Sequence, residues 1–247
     1  MQNAGDLMQP LDPGRLADLG IWFVVFLFST TLHEAAHALL ARLGGDDTAY
    51  LGGQVTLNPM PHIRREPFGM VLVPLISFWF AGFVMGWAST PFDPDWARRH
   101  PGRQALMSAA GPAANLLLSL AALGIMAWLL LGGVMVRPGS PSFERLVAPS
   151  PVSYGEDSLL HPAAAALSIT FALNLLLFLF NLLPLPPLDG SGVVEGLFPS
   201  TAGRLIAAMR ANPMMGLLGL LVAWQVIGAL FRPVLGFLLG LLWAFAG

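Results

Sequence analysis

"TTLHEAAHALLARLGG", Thr30 to Gly45, places two histidines and a glutamate inside an apolar run that extends from about Leu19 to Leu43. A run of this length can cross about 30 Å of hydrocarbon as a helix, which takes roughly 20 residues. It stops at Gly44-Gly45, a strong helix terminator. Ionisable groups inside such a segment are expensive and usually mark function. On a helix, His33 and His37 are four apart and stack on one face, close enough to share one metal ion.

The rest of the chain agrees with a membrane setting. Of its 247 residues 55% are hydrophobic and 11% charged, and the mean hydropathy is +0.69. Soluble domains carry about 25% charged residues. We expect an all-α polytopic membrane protein: one membrane-embedded domain over residues 1–247, with a core at about 19–192 and C-terminal helices at about 204–247. Four further apolar runs follow the first, at about Phe68–Ser89, Gln104–Leu131, Pro162–Leu183 and Met214–Phe231. A last piece, Pro233–Ala246, is short for a span. It reads as a tilted short helix, a re-entrant piece, or the continuation of a helix kinked at Pro233. The bundle therefore has five or six transmembrane helices. After the first, "GQVTLN" (Gly53–Asn58) is β-branched and bounded by glycines and Asn-Pro, which predicts a short β-hairpin or re-entrant loop.

Net charge is −2, which suggests no nucleic-acid partner. Cysteine is absent, so a metal must be held by His, Asp, Glu or Asn. The acidic, Pro-containing start lacks the basic region and small-residue cleavage site of a signal peptide, so the first run is expected to be retained. With alternating spans the arginines divide six against six, and the positive-inside rule gives no orientation.

In "HEAAH", Glu34 sits beside the histidines, rotated by about 100°. Zinc hydrolases use this arrangement, with the glutamate as a base for activated water and not as a ligand. A catalytic zinc usually has three protein ligands plus water. The best candidate for the third lies in "FNLLPLPPLDGSG", Phe180–Gly192. Pro184, Pro186 and Pro187 end a helix and force an extended path to Asp189, whose side chain could reach a neighbouring helix. The alternative is an ordinary Asp-Gly turn at the surface.

These motifs together resemble the site-2 protease family of intramembrane zinc metalloproteases. "HEAAH" and "NLLPLPPLDG" match its first and second motifs, and "GPAAN" (Gly111–Asn115) its third conserved helix. "GQVTLNPMPHI" and "GWASTPFDP" resemble the compact, single-module subgroup. The resemblance implies that His33, His37 and Asp189 hold one zinc ion, that Glu34 is the general base, and that Asn115 and Asn181 lie near the site. The chain departs from compact relatives in two places: they often have Asp-Pro after "HI", where this chain has "RREP", and Lys after "GWA", where it has Ser89.

The expected reaction is hydrolysis of peptide bonds in or near transmembrane segments of membrane proteins. Glu34 would take a proton from water activated by the metal, and Asn115 or Asn181 could donate to the oxyanion or link helices. Gln54, Val55, Thr56 and Leu57 would align an extended substrate by β-addition, or pair only with themselves. His62 would line the entrance, contact substrate or cap its loop. Two other functions fit the metal site: a zinc-dependent hydrolase of a non-protein substrate, and a zinc transporter, although no repeated halves are visible. The expected setting is the cell membrane of a prokaryote, as a multi-pass protein. No adaptor domain is recognisable, so substrate choice rests on the membrane core, its loops or an unidentified adaptor.

Overall fold

The computed structural model describes residues 12–151 and 159–244. Four helices are long and apolar enough to cross a membrane: α1 (Pro13–Leu43), α6 (Pro101–Leu131), α7 (Leu160–Asn181) and α10 (Pro213–Ala244). Short helices join them: α2 (Thr48–Leu51), α3 (Pro59–Arg65), α4 (Val73–Ala81), α5 (Pro94–Arg99), α8 (Asp189–Leu197) and α9 (Ala202–Arg210). The helix starts are written in the sequence. Asp12 caps α1 with its carboxylate on the Gly14 N–H, and Pro13 follows at the first helical position. Asn58 and Asp93 cap α3 and α5 in the same way, each again followed by proline.

The second apolar run does not cross as one helix. Phe68–Leu72 forms a π-helical turn that continues into α4, and the helix stops at Gly82, whose φ of 78° is left-handed. Residues 83–93 then return without regular structure to the end of the bundle from which the run entered. The insertion packs closely on itself. The Trp87 N–H donates to the Gly69 carbonyl, and the Ser77 hydroxyl accepts from the Met85 N–H. A Cβ on Gly86 would strike Gly69 O and the Phe26 ring. At the other end of the chain, the residues flanking Pro233 form one continuous helix, α10. Among the described residues there are thus four helices long enough to cross and one shorter apolar helical segment, Phe68–Ala81, that turns back, against the five or six spans expected.

The hairpin expected at Gln54–Leu57 is absent: these residues form bends between α2 and α3. The described strands lie elsewhere, β1 (Met135–Val136) pairing antiparallel with β2 (Ala148–Pro149) in the loop between α6 and α7. They cover a core of Met126, Phe171, Leu175 and Leu242 from α6, α7 and α10. A second core joins Trp22 and Phe26 of α1 to Phe78 of α4 and Ile169 and Leu173 of α7. Most of α10 faces outward, with Leu217, Leu221 and Trp224 exposed as expected of a lipid-facing helix.

The re-entrant path changes the charge count. Trp96 and Arg103 both donate to the Gly44 carbonyl, so the end of α1 meets the start of α6. Asp46 locks the same corner, accepting from Thr48 N, Thr48 Oγ1 and Asp93 N. Burial opposes its ionisation, but these donors outweigh it and hold the carboxyl below its ordinary range. Arg42, Arg64, Arg65, Arg98, Arg99, Arg103, Arg204 and Arg210 gather at this end, and Arg15, Arg137, Arg145 and Arg232 lie toward the other. The six-against-six division depended on a full second span and no longer holds.

The close approach at Gly86 is open to test. Gly86→Ala must displace the Gly69 backbone or the Phe26 ring, at a cost of about 1–3 kcal/mol. The expected outcome is a lowered melting temperature in detergent with the long helices retained by circular dichroism.

Candidate metal centre

His33 and His37 project from consecutive turns of α1, and both are buried. Their Nε2 atoms lie 3.0 Å apart. Asp189 Oδ2 completes a triangle, 3.1 Å from His33 Nε2 and 3.3 Å from His37 Nε2. The second ring nitrogens are engaged: His33 Nδ1 lies 2.5 Å from Asn115 Oδ1, and His37 Nδ1 2.7 Å from the Met107 carbonyl. Both partners are acceptors, so each Nδ1 carries the proton and donates. Each neutral ring then presents a bare lone pair at Nε2. Asp189 Oδ2 is buried and has no hydrogen-bond partner. Three lone-pair atoms held this closely repel one another unless a cation lies among them. Zinc–ligand bonds of about 2.0–2.1 Å in a tetrahedron separate ligand atoms by roughly 3.3 Å, close to the observed triangle. The residues fit one zinc ion.

The third conserved motif explains how α6 is able to approach. A Cβ on Gly111 would collide with the Nε2 atoms of both histidines. Pro112 lacks an N–H and deprives the Ser108 carbonyl of its helical partner, loosening the ladder next to Met107. One turn on, the fully buried Asn115 orients His33 and donates to Asn174 Oδ1 at 2.7 Å. Asn174 donates in turn to Ser29 Oγ at 2.9 Å and to the Thr170 carbonyl at 2.8 Å. Three side chains, Ser29 on α1, Asn115 on α6 and Asn174 on α7, thereby fix the tautomer of one candidate ligand ring.

Asp189 arrives by a different route. Beyond the end of α7, the Leu188 N–H bonds the Leu185 carbonyl, and Asp189 opens α8. Gly190 packs against the Leu182 and Leu183 carbonyls so closely that no side chain would fit. The Asp-Gly pair is therefore a buried contact and not a surface turn.

Glu34, His37 and Asp189 line one cavity of about 290 Å³, with Thr90, Gln104, Ser108 and Arg210. The Thr90 hydroxyl lies 2.7 Å from Glu34 Oε2 and 3.0 Å from the Glu34 carbonyl. Neither Asn115 nor Asn181, the half-buried last residue of α7, is among the lining residues. Gln54 is buried and reaches the Ser89 carbonyl through Nε2 at 3.5 Å, while Val55, Thr56 and Leu57 are partly or fully exposed. His62 is buried with Nε2 3.2 Å from the Thr56 carbonyl, which caps the loop. The two departures from the compact pattern meet here: Ser89 donates to Glu66 Oε1 at 2.5 Å and accepts from Arg65 Nε at 3.3 Å. Sequence reasoning missed Thr90, the Met107 carbonyl and Arg210. Thr90 stood inside a recognised motif, but a threonine in a Pro-rich turn carries no signal of its own.

Gly111→Ala is expected to displace the histidines and abolish stoichiometric zinc in purified protein, read by metal analysis. Asn115→Leu is expected to weaken zinc about 10–100-fold while the fold persists.

Comparison with known proteins agrees with this geometry. Peptidase family M50 matches residues 21–223. "Putative zinc metalloprotease YwhC" of Bacillus subtilis is 38% identical over 177 residues, 71% of this chain and 68% of that one. "Putative zinc metalloprotease Rip2" of Mycolicibacterium smegmatis is 27% identical over 209 residues, 83% and 67% of the two chains. Rip2 of Mycobacterium tuberculosis is 27% identical over 234 residues, covering 94% and 77%. No solved structure is significantly similar to the chain. The family match spans α1 to α10 and takes in every residue of the metal triangle, so the chain belongs to peptidase family M50, the site-2 proteases.

Proposed function

We propose that the protein is an intramembrane zinc metalloprotease that hydrolyses peptide bonds in or near the transmembrane segments of other membrane proteins. The observation that carries this reading is the shared cavity. Glu34 opens into the same space as His37 and Asp189, about 15 Å inside the end of a membrane-length helix. His33, His37 and Asp189 would hold one zinc ion, which when bound would supply a Lewis acid for the scissile carbonyl and for water.

The protein's own part falls to Glu34. Its carboxylate takes the proton of the attacking water and returns it to the leaving amine. Thr90 donates its hydroxyl to Oε2, which restrains the carboxylate beside the cavity.

A helical substrate hides its peptide bonds and must unwind before attack. The aligning segment in this reading is 83–90, which like Gln54–Leu57 has no regular structure but borders both cavities. Its Ala88, Ser89 and Thr90 line the catalytic cavity. Its Phe83 and Trp87 line an apolar cavity of about 700 Å³ with Trp22, Phe26, Leu177 and Trp224. A peptide laid along this segment by β-addition has apolar side chains beside the larger cavity and its backbone at Glu34. In this reading residues 1–247 act as one membrane-embedded unit in a prokaryotic cell membrane. Substrates are chosen by these cavities, by loops or by an adaptor. The arginine-rich end containing the site faces the cytoplasm, by the positive-inside rule.

Incubation of the purified protein with a single-span membrane protein tests the activity, with Glu34→Gln as control. Cleavage is expected to disappear in Glu34→Gln with zinc content unchanged. Thr90→Val should lower kcat about tenfold without loss of zinc. Turnover of lipid with no cleavage of any membrane protein would sink the reading. The absence of cysteine allows a clean topology test: a single cysteine at Arg98 should resist impermeant thiol reagents in intact cells, and one at Arg137 should react.

A further inference from the structure

Arg210 stands on α9, beyond the motifs that define the site, yet its guanidinium lines the catalytic cavity. Its two terminal nitrogens have separate partners, both on α8. Nη1 donates to Glu195 Oε2 at 2.7 Å, and Nη2 to Ser191 Oγ at 2.8 Å. The Ser191 hydroxyl, fully buried, donates a hydrogen bond to the Leu188 carbonyl at 2.7 Å. Leu188 directly precedes Asp189. Glu195 is also approached by Gln104 Nε2 of α6 at 3.4 Å.

Little else grips α8 through side chains. Its inner face is glycine: a Cβ on Gly192 would collide with Ser108 Oγ, and one on Gly196 with the Pro101 carbonyl. Glycine contacts bring backbones close but fix rotation poorly, because there is no side chain to interlock. A planar fork bonded at both ends of the helix does fix it, and only arginine presents that fork.

We propose that Arg210 is a positioning residue for the metal site: it locks the rotation of α8 so that Asp189 faces His33 and His37. The inference rests on the metalloprotease reading. It makes α9 part of the active unit, a role that no motif in that segment announces.

The test is zinc affinity of the full-length protein in detergent, by competition with a chromophoric chelator. Arg210→Ala and Ser191→Ala should each weaken zinc about 10–100-fold. Arg210→Lys, which reaches one acceptor only, should recover part of that loss. In an Asp189→Ala background, Arg210→Ala should add nothing. Wild-type affinity in both Arg210→Ala and Ser191→Ala would overturn the proposal, as would an additive loss on top of Asp189→Ala. Ser191→Ala removes one buried hydroxyl, so it reports even where Arg210→Ala fails to fold. Failure of the wild-type protein itself to bind zinc would instead overturn the metalloprotease reading.

Discussion

Two imidazole nitrogens and one carboxylate oxygen, held about 3 Å apart in a buried site, are the constraint on which this bundle turns. Left alone they push apart. They stay together because each is held from behind: His33 by Asn115, His37 by the Met107 carbonyl, and Asp189 by α8, which approaches closely through its glycines and is bonded by Arg210. The close packing of α1, α6 and α7 serves this end as much as it serves stability. Gly111 lets α6 come within reach of both rings, and the Asn115–Asn174–Ser29 chain ties all three helices at one depth. In lipid, helices gain little from hydrophobic association, and small residues and interhelical hydrogen bonds take its place.

The candidate metal ligands were legible because their chemistry is local. His33 and His37 share one helical face with Glu34 beside them, and the cost of such groups in a span announces them. Asp189 was legible through its prolines, which mark a broken helix end at depth. The four long helices were visible in hydropathy, and the end of α1 in Gly44-Gly45. The second run was misread because hydropathy sums composition and cannot see a left-handed glycine at 82 turn the chain back. The Gln54–Leu57 hairpin failed for a related reason. β-Branched residues favour extended backbone, but a strand needs a partner, and α2, α3 and His62 organise that loop instead. Arg210 could not be found from sequence, since its meaning lies in where α9 docks.

The insertion between α4 and α5 links the two cavities. Thr90, whose hydroxyl bonds Glu34, closes the same segment whose Phe83 and Trp87 line the larger cavity. In the proposed protease, a peptide that displaced this segment would move the hydroxyl beside Glu34, so occupation of one cavity would be felt in the other.

The four membrane-length helices among the described residues have a geometric result. The first described residues of α1 and the last of α10 lie at the same end of the bundle, and the Trp243–Leu146 hydrogen bond gathers that end around the β1–β2 loop. The candidate metal ligands lie toward the opposite end. A fluorescent group attached at the start of α1 or the end of α10 would therefore sit at the end of the bundle away from the arginine-rich surface and from His33, His37 and Asp189.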